Sequence, residues 1–216
     1  MFYKDSHHVY RVPELDSFDW LVHGFGTRFA DIPARFAQLA TLKQIHSTTC
    51  IAAEGRAGQL TEGDALLENT PGSVVAVKTA DCIPILLVDP KRRAVAAVHA
   101  GWRGTVARIA ARAVETMRAR FGSDPAGLHA AIGPGIGKCC YAVGPEVAEQ
   151  FGEQGRAHID LADRNRRQLI EAGVAPSRIY LAGLCTMCLP GEFHSFRRDK
   201  EAAGRLYSFV GICDPV

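Results

Sequence analysis

The centre of the chain holds three short, almost uniformly apolar runs at 74–77, 83–88 and 94–98. The polar cluster Lys78-Thr79-Ala80-Asp81-Cys82 and an Asp-Pro turn separate them. β-branched runs of this length, bounded by turn residues, predict strands buried on both faces. Further strands are expected near 39–45, 48–53, 128–132 and 179–182, and another apolar run starts at Trp20-Leu21-Val22. Helical spacing is clearest over 105–121. There Val106, Ile109, Ala110, Ala113, Val114 and Met117 share one face, Arg108, Arg112, Glu115 and Arg118 the other, and Gly122-Ser123-Asp124-Pro125 ends the run. Shorter helices are predicted over 145–151 and 161–171. Residues 1–20 read as polar and irregular. Residues 54–69 read as turn-rich, with Glu62-Gly63-Asp64-Ala65 their most distinctive piece. With no repeat or linker, the pattern predicts one α/β domain over residues 1–216.

Composition narrows the function classes without choosing one. The chain is 47% hydrophobic and 22% charged with a net charge of +2, which gives no footprint for nucleic acid. No apolar run reaches the roughly 18 residues of a membrane span, and MFYKDSHHVYR is too polar for a signal peptide, so a cytoplasmic location without membrane partners is expected. An odd count of seven Cys argues against a disulfide framework and leaves buried, metal-binding or reactive thiols.

Candidate chemistry sits where strand-like runs end. His46, Cys82 and His99 are far apart in sequence, yet each follows an apolar run. Two imidazoles and one thiolate make a first shell for zinc with one position left open, and such a metal can bring the pKa of water to roughly 7. Asp81 is placed to orient an imidazole or to act as general base. A nucleophilic Cys82–His99 pair is the competing arrangement. Arg103, Arg28, Arg197, Arg198 and Arg205 flank these motifs and suit phosphate or carboxylate, Arg103 best because it adjoins His99. The start of the 105–121 helix, just after Gly104, is expected to aim its free N–H groups at the same place.

Two other motifs read as structural. Gly133-Pro134-Gly135-Ile136-Gly137 lacks the Lys-Ser/Thr of a P-loop and the acid of a dinucleotide fold, so it predicts a tight loop shaping the pocket. Cys185-x-x-Cys188 is followed by Leu189-Pro190-Gly191, which prevents the helix a redox pair needs, and Cys139-Cys140 has the wrong spacing for the other half of a zinc site. Two structural thiols, insensitive to substitution at Cys188, are the expectation.

Six motifs in order carry a resemblance. They are Gln44-Ile45-His46-Ser47, Gly63-Asp64-Ala65, Thr79-Ala80-Asp81-Cys82-Ile83-Pro84, His99-Ala100-Gly101-Trp102-Arg103-Gly104, Gly133 through Tyr141, and Phe193-His194-Ser195-Phe196-Arg197-Arg198-Asp199. The chain resembles the YfiH-type, laccase-domain-containing proteins, also labelled polyphenol oxidases or purine nucleoside phosphorylases, over about residues 23–204. The resemblance implies a single-domain layered α/β sandwich with mixed β-sheets flanked by helices, similar to a bacterial toxin deamidase. It implies zinc at His46, Cys82 and His99, with copper the other metal such a set accepts. It also implies phosphorolysis of adenosine, inosine, guanosine and methylthioadenosine, together with adenosine deamination. Cys82, His99 and Asp81 are then the catalytic expectations, and Arg103, Arg28, Gln44 and Arg197 the substrate and phosphate contacts. Other readings are a copper-dependent polyphenol oxidase, a Cys–His hydrolase or amidase, and a non-catalytic nucleoside-binding module. This chain departs from the family's usual Phe-Phe-Ser-Tyr-Arg at Phe193-His194-Ser195-Phe196-Arg197, and its N-terminal segment is short.

Overall fold

The computed structural model describes residues 1–213. Two mixed sheets lie face to face. The seven-stranded sheet runs, edge to edge, through Tyr3–Lys4, Val9–Arg11, Leu21–Gly26, Leu206–Ile212, Val74–Thr79, Leu39–Lys43 and Gly58–Glu62. The six-stranded sheet runs through Ile179–Leu181, His129–Ile132, Ile83–Asp89, Ala94–Ala100, Ala65–Glu68 and Cys50–Ala52. Parallel pairings occur in both, Leu39–Lys43 with Val74–Thr79 in the first and Cys50–Ala52 with Ala65–Glu68 in the second. The expected layered sandwich of mixed sheets and helices is therefore the observed one.

The apolar runs are uniform because the six-stranded sheet is a middle layer. Along Ile83–Asp89, Ile83, Ile85 and Leu87 point into the core shared with the helices, while Leu86 and Val88 point into the core between the sheets. Ala94–Ala100 alternates likewise: Ala94, Ala96 and Val98 face one way, Val95 and Ala97 the other. Strands buried on both faces have no polar face to display. On the helix side, Ile109, Ala110, Ala113, Val114 and Met117 bury the predicted stripe of Ile109–Phe121. A third cluster, Val9, Ile32, Leu39, Val74, Ala76 and Phe209, covers the outer face of the seven-stranded sheet.

Three expectations are corrected. The turn-rich segment 54–69 contains two strands, and the second, Ala65–Glu68, is buried throughout. Residues 1–20 contribute two short strands, Tyr3–Lys4 at the edge of the seven-stranded sheet and Val9–Arg11 next to it. The helix expected to begin at 105 is two helices, Trp102–Val106 and Ile109–Phe121, broken where Arg108 takes a left-handed φ of 65°. No long helix begins after Gly104, so the N-terminal dipole expected there does not arise.

The path of the chain between the sheets builds the site. Leu39–Lys43 lies in the seven-stranded sheet and Cys50–Ala52 in the six-stranded one; Gly58–Glu62 and Ala65–Glu68 are divided the same way, as are Val74–Thr79 and Ile83–Asp89. Each crossing carries residues singled out by the sequence: His46 in the first, Asp64 in the second, Asp81 and Cys82 in the third. The turns are sharp, with φ of 60° at His46 and 89° at Asp81.

Candidate metal centre

His46, Cys82 and His99 converge. One donor atom from each lies within 4.8 Å of the other two. His99, near the end of Ala94–Ala100, pairs in register with Pro84, which brings its ring next to the Cys82 turn. The two imidazoles stand edge-on, with ring centroids 4.9 Å apart. His99 is buried, Cys82 half-buried and His46 exposed, so the cluster opens outward on one side.

The residue that organises the cluster is Asp64, which is fully buried. Its Oδ1 accepts from the His46 N–H at 3.0 Å and lies 2.8 Å from His99 Nδ1. Its Oδ2 accepts from the N–H groups of Ile45 at 3.3 Å and Ser47 at 2.6 Å, and from the Ser47 hydroxyl at 2.8 Å. One carboxylate thus shapes the loop carrying one histidine and directs the ring of the other. In the neutral, ligating ring, Nδ1–H stays donated to Asp64 and Nε2, once its proton is displaced by an ion, offers its lone pair to the cluster, the usual way an outer carboxylate sets a ligand tautomer.

The electrostatics follow from this packing. Burial by itself would push the Cys82 thiol up, but the hydrogen-bonding imidazoles of His46 and His99 outweigh it and draw the pKa down to about 6. Burial disfavours the His99 imidazolium, yet Asp64 and the Cys82 thiolate raise it to about 9. Asp64, despite its burial, is held down at about 2 by His99 and the Ser47 donors. The two imidazoles thus favour the Cys82 thiolate, the form in which Cys is a ligand or nucleophile.

The donor set fits a metal ion. Two imidazole nitrogens and a thiolate match the composition of open zinc sites. A Cβ on Gly101 would fall 2.9 Å from His46 Cδ2 and 3.0 Å from Cys82 Sγ, so a side chain there would intrude on the convergence.

The other expected residues are distributed around this point. Asp81 does not contact either imidazole. Its carboxylate accepts from the Thr186 hydroxyl at 2.7 Å and the Arg197 N–H at 2.6 Å, tying the Cys82 turn to the loops behind it. The orienting role expected of Asp81 is occupied by Asp64, whose signal was the Glu62-Gly63-Asp64-Ala65 turn. Gln44 pairs with the backbone of Lys78 through both amide atoms, at 2.7 and 2.8 Å. Arg28 donates to the Pro190 carbonyl at 2.8 Å. Arg197 lies over the Tyr141 ring, 5.3 Å from its centroid, and donates to the Ala142 carbonyl. Arg103 is exposed and stacks on Trp102 at 4.5 Å.

The structure also corrects the reading of the remaining thiols. Cys185 and Cys188 are not an isolated pair: Cys139 and Cys140 meet them, with donor atoms of all four within 4.8 Å of one another. The adjacent pair looked unsuitable by spacing because the loop fold that brings it to the Cys-x-x-Cys turn leaves no local sequence signal.

Among the described residues, no helix is long and apolar enough to cross a membrane. Residues 27–213 match the family model described as multi-copper polyphenol oxidoreductase laccase. A relative from Deinococcus radiodurans, named purine nucleoside phosphorylase, is 43% identical over 183 residues, covering 80% of this chain and 70% of its own length. A protein from an unknown prokaryotic organism, named adenosine deaminase, is 42% identical over 163 residues, covering 69% of this chain and 61% of its own. The crystal structure of YlmD from Geobacillus stearothermophilus superposes with a TM-score of 0.90 at 27% identity, covering 99% of each chain.

Proposed function

Since the chain belongs to the multi-copper polyphenol oxidoreductase laccase family, with relatives named purine nucleoside phosphorylase and adenosine deaminase, we propose that it is a zinc-dependent purine nucleoside phosphorylase. Its substrates are adenosine, inosine, guanosine and methylthioadenosine with phosphate, and it also deaminates adenosine. The observation that carries the metal-dependent reading is the convergence of His46, Cys82 and His99 under the control of Asp64.

In this reading His46, Cys82 and His99 hold the ion. When bound, zinc supplies Lewis-acid chemistry, polarising an oxygen ligand and lowering the pKa of water toward roughly 7. Asp64 holds His99 in the ligating tautomer and fixes the backbone that presents His46. Arg103, exposed beside the site, balances phosphate charge, as a forked guanidinium does well. Asp81 acts as a brace, joining the Cys82 turn to Thr186 and Arg197, and the Tyr141–Arg197 stack walls the site. Phosphorolysis breaks the bond from purine nitrogen to the anomeric carbon and forms a carbon–oxygen bond to phosphate; deamination forms a bond from purine C6 to a water oxygen, breaks the C6–N bond and releases ammonia. The two reactions attack different atoms and therefore use two substrate poses.

The family description also favours a second reading, copper-dependent phenol oxidation, because His₂Cys accepts copper. The chain has three Met and no His-x-His pair, so it supplies few further copper ligands.

The test is to incubate metal-analysed protein with adenosine, with and without phosphate, and to separate the products. Adenine and ribose-1-phosphate formed only with phosphate, in proportion to zinc content, are expected, with inosine in both tubes. Unchanged adenosine together with phenol oxidation that tracks copper would replace this function with the oxidase.

A further inference from the structure

The second cysteine cluster lies outside the site described above. Cys139 and Cys140 follow Gly137-Lys138, and Cys185 and Cys188 sit in the turn after Ile179–Leu181. Cys188 Sγ lies 3.3 Å from Cys140 Sγ and 3.7 Å from Cys139 Sγ. Four thiolates around one zinc at the usual bond length of about 2.3 Å stand about 3.8 Å apart, the edge of the tetrahedron. The observed separations are close to that edge, and far from the bond length of about 2.0 Å in a disulfide. All seven Cys are free thiols.

The surroundings match a thiolate site rather than a chance meeting of side chains. The Gly137 N–H donates to Cys185 Sγ at 3.2 Å, the contact that steadies a metal-bound sulfur. A Cβ on Gly137 would fall 3.2 Å from Cys139 Sγ and 3.5 Å from Cys185 Sγ, crowding the cluster as one on Gly101 would crowd the other. The loops are pre-arranged around it. Thr186 N–H donates to Gly135 O at 3.0 Å, Cys140 N–H to Gly137 O at 2.9 Å, and Arg198 to the carbonyls of Thr186 and Met187.

We infer that Cys139, Cys140, Cys185 and Cys188 form a closed tetrathiolate site for a structural zinc ion, separate from the His46–Cys82–His99 centre. With four protein ligands and no open position, this ion has a structural rather than a Lewis-acid role. It staples loop 133–141 to loop 184–199. Thr186, held between two of its ligands, carries the hydroxyl that bonds Asp81 beside Cys82. The staple therefore backs the wall of the first site.

The test counts metals and reads their ligands. Zinc analysis of purified protein is expected to give two equivalents per chain, falling by one in Cys139→Ser/Cys188→Ser and by one in Cys82→Ala. Unfolding of the double variant would release zinc as well, so the decisive measurement uses Cys82→Ala protein, which keeps all four thiols. Stripped of metal and titrated with cobalt(II), it should develop the intense near-ultraviolet thiolate-to-cobalt band of a four-sulfur site, several-fold stronger than one sulfur gives. Absence of that band would overturn the proposal. So would a full zinc complement in Cys139→Ser/Cys188→Ser, or a Cys140–Cys188 disulfide in the native protein by non-reducing peptide mapping.

Discussion

Replacing Asp64 with Asn changes one atom of a carboxylate that receives five donors: the N–H groups of Ile45, His46 and Ser47, the Ser47 hydroxyl and His99 Nδ1. An amide keeps one acceptor and turns the other into a donor. If its oxygen faces Ser47, its NH₂ meets the His46 N–H, and His99 must accept at Nδ1 and carry its proton on Nε2, the nitrogen aimed at Cys82. If its oxygen faces His46 and His99, its NH₂ meets the Ser47 N–H. Either choice leaves a buried donor unpaired, which costs about 1–3 kcal/mol, and removes charge-assisted bonds worth about 1.5–3 kcal/mol each. These terms overlap rather than add, and the net loss is about 3–5 kcal/mol, the size expected when one partner of a buried charged network is removed. Urea unfolding of metal-free protein should show that loss, and zinc analysis should show the first site emptied. Refolding with excess zinc restores occupancy only if the tautomer of His99 is immaterial. A change below about 1 kcal/mol with zinc retained would refute the assignment of Asp64 as the organising residue.

Other perturbations separate the parts. Gly101→Ala adds only a methyl, since a φ of −72° and ψ of 174° suit any residue. Intruding on His46 and Cys82, it should weaken zinc roughly tenfold to a hundredfold by chelator competition, about 1–3 kcal/mol of metal affinity, while thermal unfolding of metal-free protein changes little because the exposed His46 ring can turn aside; unaltered affinity would mean the three donors do not converge on one ion. Arg103→Ala should raise the phosphate KM roughly tenfold, the scale of a charged hydrogen bond, and spare deamination, whereas equal loss of both reactions would count against a phosphate role. His23 is buried and accepts from the Val12 N–H through Nε2, and burial, aided by the charge of Arg11, lowers its pKa from 6.5 to about 4. The unfolded chain therefore takes up a proton first. The contribution is complete above 6.5 and lost as pH falls toward 4, amounting to about 3 kcal/mol. Unfolding midpoints at pH 7.5, 6 and 5 should fall more steeply for the wild type than for His23→Gln, and parallel slopes would place the titration elsewhere.

Legibility in the sequence tracked whether a signal was local. The strands at Ile83–Asp89 and Ala94–Ala100 were readable because burial on both faces makes their runs uniformly apolar. Ala65–Glu68 is buried as completely, but its four residues follow Gly63 and Asp64 and read as part of a turn region. The helix break at Arg108 left no trace, since a single left-handed residue does not disturb the apolar spacing on either side. His46, Cys82 and His99 could be proposed as ends of runs, but their meeting depends on how the sheets stack, and only the ordered motifs of the family suggested it. The meeting of Cys139 and Cys140 with Cys185 and Cys188 is set by two distant loops, so spacing rules for contiguous zinc motifs failed there.

The crossings that carry His46, Asp64 and Cys82 give the site a further property. His46, Asp64 and Cys82 each stand on a separate bridge from one layer to the other, so their coincidence depends on the alignment of the layers. A shear of one layer past the other would scatter the donors while leaving every strand intact. Occupancy of this centre is in that sense a vernier: it reads the relative position of two sheets that share no ladder hydrogen bonds. An ion bound there ties loops that bridge the two layers to one another and so opposes any sliding of one sheet over the other.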